Sequence, residues 1–283
     1  MKVIDQTLLE KVIIERSRHS HKGDYGRLLL LGGTYPYEGA IIMSAIAAVK
    51  SGAGLVTVGT DKENIPALHS HLPEAMAFSL QDQQLLEEQL EKAEVVLLGP
   101  GLREDAFGEE LVKRVFDCLR RDRILIVDGG ALGSLAKGQL PFPSSQLILT
   151  PHQKEWERLS GIVLDHQNTE TTARALSAFP KGTILVEKGP ATRIWQVGQP
   201  EYYQLEVGGP YQATGGMGDT LAGMIAGFTG QFHQASLYER VVVAAHLHSA
   251  IAQELAQENY LVLPTEISKA LPKTMKKISQ KGS

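Results

Sequence analysis

Cysteine is almost absent from this sequence, since Cys118 is the one cysteine among 283 residues. A lone thiol excludes an internal disulfide. Cys118 lies in the helix-like stretch 111–119, and no His or Asn stands near it in a catalytic context. These features favour a thiol in the core of a helix over a catalytic nucleophile.

The sequence also lacks any apolar run approaching the roughly 20 residues that span a bilayer. Residues 1–10 lack the basic and apolar regions of a secretory signal. The charge is nearly balanced, with 28 Lys and Arg against 32 Asp and Glu and a net charge of −4, which gives no electrostatic footprint for nucleic acid. We therefore expect a cytoplasmic protein with neither a membrane nor a nucleic acid as partner.

Two common phosphate-binding signatures are missing as well. No segment has the Walker form GxxxxGK[ST]. The glycines of Gly52-Ala53-Gly54-Leu55 precede a predicted strand and do not open a helix, so a Rossmann dinucleotide fingerprint is unsupported. Any phosphate site in this chain must use a different scaffold.

The apolar residues, 43% of the chain, recur in short runs that are typical of buried parallel strands. These predicted strands cover residues 28–31, 55–60, 95–98, 124–127, 147–149 and 183–186. Segments with helical apolar spacing alternate with them over residues 40–51, 83–92, 107–121, 155–160 and 169–179. The alternation predicts an α/β fold with a mostly parallel central sheet and helices on both faces.

The pattern changes after Gly189. Two alternating segments, 192–197 and 202–207, flank a turn and predict an antiparallel hairpin at the edge of the sheet. Three helices are then predicted over 218–230, 237–258 and 266–277, the last broken or kinked at Pro272. Because no repeat or long linker interrupts the chain, we expect one domain over residues 1–283.

The run Ala213-Thr214-Gly215-Gly216-Met217-Gly218-Asp219 carries the clearest chemical signal. Its glycines let the backbone turn tightly beside a ligand, and the helix that begins near Gly218 presents unpaired N–H groups that attract phosphate. Asp219 in the first helical turn is by itself an ordinary charge for the helix dipole. Beside three glycines it is better suited to accept a proton from a substrate hydroxyl while the amides hold the transferring phosphate.

This run resembles the anion-hole motif of the ribokinase-like superfamily, which places a catalytic Asp at that helix start. Further segments are similar to the ADP/ATP-dependent NAD(P)H-hydrate dehydratase family. They are Lys22-Gly23-Asp24-Tyr25-Gly26, Tyr37-Glu38-Gly39-Ala40, Ser51-Gly52-Ala53-Gly54-Leu55-Val56, Leu98-Gly99-Pro100-Gly101-Leu102, Asp128-Gly129-Gly130-Ala131-Leu132 and Leu149-Thr150-Pro151-His152. The resemblance implies a ribokinase-like fold and, since no epimerase domain is fused here, a stand-alone dehydratase.

The family dehydrates the S-epimer of hydrated NADH or NADPH back to the reduced dinucleotide. A nucleotide phosphorylates the hydroxyl of the nicotinamide ring, phosphate then leaves, and the double bond returns. By the resemblance, Asp219 is the base that takes the hydroxyl proton, and the amides of residues 216–218 stabilise the transferred phosphoryl group.

The resemblance assigns the hydrated dinucleotide to Ala40, Gly101, His152 and Asp219. Without it, Ala40 reads as a plain helix residue, Gly101 as part of a Gly-Pro-Gly turn and His152 as the cap of the following helix. The nucleotide is assigned to eight residues: Lys188, Gly189, Pro190, Ala191, Thr192, Thr214, Gly216 and Gly218. A lysine at the end of a strand is otherwise an ordinary solvated side chain.

The implied cofactors are ADP or ATP with Mg²⁺, but the sequence has no cluster of metal ligands. Asp128 and Glu155 are candidates that we leave unassigned, because phosphates and one or two carboxylates usually suffice for Mg²⁺. The family's His-Pro-Gly-Glu is replaced here by His152-Gln153-Lys154-Glu155, which we interpret as variation in the turn. The resemblance also suggests a homotetramer, and it leaves the preference between ADP and ATP open.

Two other functions use the same features. A small-molecule kinase of the superfamily, of the hydroxyethylthiazole or vitamin kinase type, also needs the phosphate loop and Asp219, but it releases a stable phosphorylated product. A nucleotide sensor needs the loop and has no chemical use for Asp219.

Overall fold

The structure, a computed structural model, describes residues 1–138 and 140–281. In this part of the chain, nine strands form one sheet in the order β3-β2-β1-β4-β5-β6-β7-β8-β9. The strands are β1 Arg27–Leu31, β2 Leu55–Thr60, β3 Met76–Ser79, β4 Val95–Leu98, β5 Ile124–Val127, β6 Gln146–Leu149, β7 Ile184–Glu187, β8 Arg193–Gln196 and β9 Tyr203–Gln204. The helices are α1 Gln6–Val12, α2 Glu38–Lys50, α3 Ile65–His71, α4 Gln83–Lys92, α5 Ala106–Cys118, α6 Gly129–Ala136, α7 Gln153–Ser160, α8 Thr169–Leu176, α9 Met217–Thr229, α10 Leu237–Leu255 and α11 Pro264–Ser279.

The sheet is parallel from β3 to β7 and antiparallel from β7 to β9. Every strand from β4 to β7 is nearly or fully buried, as their continuous apolar sequences predict. The predicted α/β class, the mostly parallel sheet and the antiparallel edge hairpin are therefore confirmed.

Two apolar cores cover the two faces of the sheet, because successive side chains of a strand point to opposite sides. In β1, Leu28 and Leu30 belong to one core, whereas Leu29 and Leu31 belong to the other. Helices α1–α3 and α9–α11 contribute to the first core, and α4–α8 contribute to the second. Both faces are thus covered by helices, and the loops at the carboxyl ends of the strands remain available for a site.

Several elements differ from the prediction. The short β3 and the helices α1, α3 and α6 were not predicted, because their apolar residues are too few to show a period. Helix α11 continues through Pro272 without a break, since Ile267, Leu271 and Ile278 hold both of its halves in the core. In the part of the chain that the structure describes, none of the helices has the length and apolarity needed to cross a membrane.

The predicted position of Cys118 is also wrong, because its thiol is exposed. It is the last residue of α5, whose buried side runs through Leu111, Val112 and Val115. Cys118 lies outside this stripe. The helix assignment was right, whereas the assignment to the core was not.

Candidate active site

Four neighbouring strands end at one edge of the sheet, and each is followed by a candidate site residue. Gly101 follows β4, Asp128 follows β5, His152 follows β6 and Lys188 follows β7. The last two strands extend their pairing beyond the sheet, since the Lys188 amide donates to the Pro151 carbonyl at 2.9 Å and His152 forms a parallel bridge with Lys188. Residues that lie far apart in the sequence therefore meet along this edge.

The amino terminus of α9 faces the same edge. Gly216 caps this helix with a φ of 91°, a left-handed conformation that favours glycine. A side chain there would also collide with the Met43 sulfur. A Cβ on Gly218 would lie 3.2 Å from the Lys188 Nζ, so the first turn of α9, with its unpaired amides, faces the lysine.

Asp219 lies in this first turn, where it is largely withdrawn from solvent. Burial raises the pKa of its carboxyl, the Asp128 carboxylate adds to this rise, and Lys188 opposes both, so that the pKa lies at about 6 instead of 3.8. A carboxyl group with a pKa near 6 is ionised at neutral pH and is a better proton acceptor than an ordinary aspartate. The geometry thus agrees with a base at this position.

Lys188 is the positive centre of the cluster. Its Nζ lies 2.9 Å from Asp128 Oδ1, and the Lys188 side chain is 18% exposed while that of Asp128 is 3% exposed. Asp128 Oδ1 also accepts a hydrogen bond of 2.7 Å from the Thr150 hydroxyl. Burial alone would lower the pKa of Lys188, but the carboxylates of Asp128, Glu155 and Asp219 outweigh it and raise the pKa, so this lysine stays charged.

His152 caps α7, as its alternative interpretation predicted. Its Nδ1 accepts from the backbone amides of Lys154 at 3.1 Å and Glu155 at 3.3 Å, while the Glu155 carboxylate accepts from the His152 amide at 2.7 Å. Because Nδ1 is occupied, Nε2 is the ring nitrogen left for a ligand, and it lies 3.6 Å from Glu155 Oε1. The capping role and a binding role are therefore compatible.

The same capping box holds Glu155 beside the cluster. Burial raises the pKa of Glu155 from 4.5 to about 7, although Lys188 lowers it in part. Burial also lowers the pKa of His152, with Lys188 as the next cause. The spacing of His152 and Glu155 is the spacing that the capping box requires. The intervening Gln153-Lys154 pair can therefore differ from the family's residues without loss of the cap.

Ala40 and Gly101 form a packed wall on the α2 side of Asp219. A Cβ on Gly101, whose φ is 65°, would lie 3.0 Å from the Ala40 Cβ and would collide with the Tyr37 carbonyl oxygen. The Ser44 hydroxyl lies 3.1 Å from the Ala40 carbonyl oxygen and 2.9 Å from that of Asp219. This hydroxyl connects α2 to the first turn of α9.

Close helix packing fixes this connection. A Cβ on Gly223 would overlap the Ser44 carbonyl, and one on Gly227 would overlap the Ser51 side chain. Helices α2 and α9 therefore approach along glycines, as the small residues of α9 predict. The approach brings the Asp219 carbonyl within reach of Ser44, one turn after Ala40 on α2.

A cavity of about 580 Å³ opens on the other side of α9. Five of the eight residues assigned to the nucleotide line it: Lys188, Gly189, Pro190, Thr192 and Gly218. Ala191 lines a smaller adjoining cavity of about 290 Å³ that shares Lys188, Gly189 and Pro190. The remaining two, Thr214 and Gly216, lie in the turn before α9 and do not line the larger cavity.

The loop 188–192 is anchored at both of its ends. Arg193 Nη2 donates to Glu187 Oε1 at 2.9 Å, and both side chains are largely buried. Trp195 Nε1 and the Thr172 hydroxyl also donate to the Glu187 carboxylate, at 3.1 and 3.2 Å. The residues that flank the loop are thus fixed to each other and to the sheet.

The sequence interpretation missed the far wall of the larger cavity. Residues 208–210, 212 and 213 and the α10 residues Ala245, His248 and Ser249 form this wall. A histidine within the apolar helix sequence 241–252 gives no signal of a ligand, because buried histidines in helices are common core residues. Only the packing of α10 against α9 shows that His248 lines the cavity.

The charged cluster supplies some, but not all, of the ligands that Mg²⁺ needs, and the phosphates of a nucleotide would supply the others. Asp128 and Glu155 offer the hard carboxylate oxygens that Mg²⁺ prefers, and both lie in the field of Lys188. No group of three or more His, Cys, Asp or Glu side chains that could hold a metal ion occurs within residues 1–138 and 140–281. The donor set therefore suits a cation that is held largely by the phosphates of a nucleotide.

Comparison with known proteins agrees with this geometry. The sequence model described as NAD(P)H-hydrate dehydratase matches residues 28–273. The chain is 81% identical over 280 residues to the ADP-dependent (S)-NAD(P)H-hydrate dehydratase of Streptococcus pneumoniae, with 99% of this chain and 97% of that protein covered.

Two solved structures are similar over nearly the whole chain. A ribokinase-like superfamily protein from Enterococcus faecalis is 41% identical with a TM-score of 0.93, covering 98% of this chain and 96% of its own. The ADP/ATP-dependent NAD(P)H-hydrate dehydratase of Bacillus subtilis, co-crystallised with ATP and Mg²⁺, is 28% identical with a TM-score of 0.82, covering 97% of each chain. The ribokinase-like fold is therefore confirmed, and the chain belongs to the NAD(P)H-hydrate dehydratase family.

Proposed function

We propose that this protein is a nucleotide-dependent dehydratase that converts the S-epimer of hydrated NADH or NADPH back to NADH or NADPH. The observation that carries the proposal is the position of Asp219. Asp219 follows Gly218, which lines the cavity together with Lys188, and its backbone carbonyl accepts a hydrogen bond from Ser44, one turn after Ala40 on α2. A base between a substrate wall and a nucleotide cavity is what a phosphoryl transfer to a substrate hydroxyl needs.

In the proposed reaction, the oxygen of the ring hydroxyl attacks the terminal phosphorus of the nucleotide, and Asp219 accepts the proton of that hydroxyl. The bond from that phosphorus to the bridging oxygen breaks, and AMP leaves when ADP is the donor. Lys188 and the amides at the start of α9 stabilise the charge on the phosphoryl oxygens. The ring phosphate then leaves with the electrons of its carbon–oxygen bond. The adjacent carbon gives up a proton to water, and the electrons of that carbon–hydrogen bond form the double bond.

His152 is proposed to bind the hydrated dinucleotide through Nε2, because its Nδ1 is committed to the α7 amides. Ala40 and Gly101 are proposed to admit the ring by their lack of bulk. The remaining nucleotide residues, Ala191, Thr192, Thr214 and Gly216, are proposed to shape the loops around the phosphates. Asp128 and Glu155 would hold Mg²⁺ together with the phosphates, and the cation would neutralise charge that develops on them.

ADP is the proposed donor, because the Streptococcus pneumoniae relative is named as ADP-dependent. We also propose a homotetramer in the cytoplasm and a single domain over residues 1–283. Size-exclusion chromatography with light scattering tests the first of these. A rigid single domain would give one cooperative unfolding transition.

The direct test is repair of the substrate. Purified protein is mixed with hydrated NADH, Mg²⁺ and either ADP or ATP, and the return of the absorbance of the reduced nicotinamide is followed. The expected result is full return on the S-epimer with release of one phosphate. Accumulation of a stable phosphorylated ring without return of absorbance would favour the small-molecule kinase instead.

The variant Asp219→Asn separates an enzyme from a sensor. We expect it to retain ADP binding and to lose about 10²- to 10⁴-fold in turnover, the usual contribution of a general base. Equal ADP binding and no turnover in either form would instead indicate a sensor. Titration calorimetry and the absorbance assay give the two readouts on the same preparations.

A further inference from the structure

One buried residue connects the two segments that form the wall of Ala40 and Gly101. Thr34 follows β1 and is 1% exposed. Its backbone amide donates to the Gly101 carbonyl at 2.8 Å. Its own carbonyl accepts from the Tyr37 amide at 2.7 Å, and the Tyr37 carbonyl in turn accepts from the Ala40 amide at 3.2 Å. Thr34 is therefore bonded to Gly101 on one side and, through Tyr37, to the first turn of α2 on the other.

The Thr34 hydroxyl adds two bonds to the turn after β4. It donates to the Gly101 carbonyl at 3.0 Å and accepts from the Arg103 amide at 3.0 Å. A hydroxyl has one proton to donate and lone pairs to accept, so this group uses both capacities within one turn. The Gly101 carbonyl thus accepts from two donors of Thr34, and the two bonds together fix its orientation.

These bonds hold the turn at Gly101 in a single arrangement. Gly101 has a φ of 65°, a left-handed conformation that favours glycine, and glycine loses more conformational freedom on ordering than any other residue. A turn that a ligand had to order would bind that ligand more weakly, because ordering costs free energy on binding. Since Thr34 already fixes the turn in the folded protein, this cost does not arise.

The wall leaves little room for Gly101 to move. A Cβ on Gly101 would lie 3.0 Å from the Ala40 Cβ and would collide with the Tyr37 carbonyl. A shift of the turn by a few tenths of an ångström therefore changes the space beside Ala40. Because Thr34 is bonded to both segments, its bonds determine how far apart the two sides of the wall lie.

We propose that Thr34 is a positioning residue for the hydrated dinucleotide, whose hydroxyl holds Gly101 at the distance from Ala40 that admits the nicotinamide ring. The proposal rests on the proposed function, in which Ala40 and Gly101 contact that substrate. Thr34 has almost no exposed surface, so it acts through Gly101 and does not touch the substrate itself.

The test compares the two ligands of Thr34→Val by titration calorimetry. Valine keeps the shape of threonine but removes the hydroxyl, so the Arg103 amide loses its acceptor. We expect hydrated NADH to bind about 5- to 10-fold more weakly, because the turn at Gly101 must then be ordered on binding. ADP with Mg²⁺ should bind within about 3-fold of its native affinity, since the bonds of Thr34 run to the turn after β4 and to the start of α2.

Three further variants make the comparison specific. Thr34→Ala removes the hydroxyl without placing a methyl group against the Gly101 carbonyl, and it should show the same selective loss if Thr34→Val does not fold. Thr34→Ser keeps the hydroxyl and should bind hydrated NADH within about 3-fold of the native affinity. Thr229→Val is the matched control, since it removes a buried hydroxyl that donates to the Ala226 carbonyl at 3.1 Å, at the end of α9 remote from Asp219. It should lower the melting temperature and leave both affinities unchanged.

Four outcomes would overturn the proposal. The variants without the hydroxyl bind hydrated NADH like the native protein, or they lose affinity for ADP equally, or Thr34→Ser is as weak as Thr34→Ala, or Thr229→Val weakens hydrated NADH as much as they do. Native protein that binds hydrated NADH but does not repair it would refute only the dehydratase function. Native protein that does not bind hydrated NADH would refute both.

Discussion

The two sides of Asp219 are built from different kinds of contact. On the α2 side, Gly101 lies against the Ala40 side chain and the Tyr37 backbone, both of which are uncharged. On the side of β5–β7, Asp128, Glu155 and Lys188 form a charged cluster. The first side restricts shape, and the second supplies the electrostatic field.

This difference has an energetic consequence. Close packing of small residues stabilises the fold and the site together, because α2 packs against both the turn at Gly101 and, through Ser44, the helix α9 that carries Asp219. A buried charged cluster adds little to the free energy of unfolding, because withdrawing each carboxylate from water costs free energy that the ion pairs only offset. We therefore expect substitutions on the packed side to lower stability and substitutions on the charged side to lower activity first.

The largest effect is expected from a substitution that disrupts the packing on the α2 side. Gly101→Val forces a branched side chain into a φ of 65° and against the Tyr37 carbonyl, and should lower the free energy of unfolding by about 3 kcal/mol. Urea unfolding measures the change. Gly39→Ala is the matched control, since nothing lies within 4 Å of its Cβ, and it should be neutral or stabilising by up to about 1 kcal/mol.

If Gly101→Val were as stable as the native protein, the wall would not be close-packed. The turn would then have to tolerate a side chain, and the steric account of the α2 side would fail. Gly39→Ala as destabilising as Gly101→Val would point to a general sensitivity of α2.

The second prediction concerns the stability that the protein loses by burying the ionised carboxylate of Asp219. Because its pKa is raised from 3.8 to about 6, the folded state binds the proton more tightly than the unfolded state. Stability from this group is complete below pH 4, is lost between about pH 4 and 6, and stays lost above. Asp219→Asn should therefore stabilise the protein at pH 7.5 by roughly 1–3 kcal/mol while lowering turnover by about 10²- to 10⁴-fold.

The stabilisation by Asp219→Asn should shrink to below about 1 kcal/mol at pH 4, because the carboxyl is then protonated in the folded state and, with its ordinary pKa of 3.8, nearly half protonated in the unfolded state. Thermal unfolding of both proteins at the two pH values checks this. A variant less stable than the native protein at pH 7.5 would show that Asp219 contributes to the fold through its charge.

The third prediction removes the positive centre of the charged side. Lys188→Met should lower ADP affinity and turnover by about 10- to 100-fold, because the phosphates lose a cation in a site shielded from water. Lys181→Met is the control, since Lys181 is exposed at the other end of β7. Equal effects of the two substitutions would contradict a local role for Lys188.

The smallest effect is expected from a substitution beside the loop 188–192, on the charged side of the site. Arg193→Leu removes one anchor of Glu187 but leaves the bonds from Trp195 and Thr172. Ordering the loop then costs more on binding, so the KM for ADP should rise about 3- to 10-fold with kcat nearly unchanged. Steady-state kinetics at varied ADP measures this.

Arg174→Leu is the control for Arg193→Leu, because it removes an exposed ion pair with Glu170 that should contribute little. A fall in kcat without a change in KM would show that Arg193 acts on the chemistry and not on the loop.

Much of this protein could be predicted from its sequence, because strong local patterns coincide with buried elements. The continuous apolar strands β2, β4 and β5 were placed correctly, since fully buried strands allow few other residues. The glycines before Asp219 indicated a helix start near phosphate, and the family and its dehydratase function were confirmed. The weakly patterned elements α3 and α6 were missed, since their burial comes from neighbours distant in the sequence.

The candidate site divides in the same way. Motifs indicated Asp219, His152 and Lys188 as separate candidates, and their roles remain predictions. The capping box of His152 and Glu155 was visible as a spacing, but the coupling of Glu155 to Lys188 was not. His248 gave no signal, because its meaning depends on a cavity wall that four segments form together.

The sequence by itself therefore determined the fold class, the family and the start of the helix that is predicted to bind phosphate, because each depends on contacts or conformations within a few residues. Only the tertiary structure decided which charges surround Lys188, why the pKa of Asp219 is raised, and that His248 of α10 lines the cavity. Burial and electrostatic fields arise from atoms that the order of the strands brings together, and that order joins residues separated by more than a hundred positions.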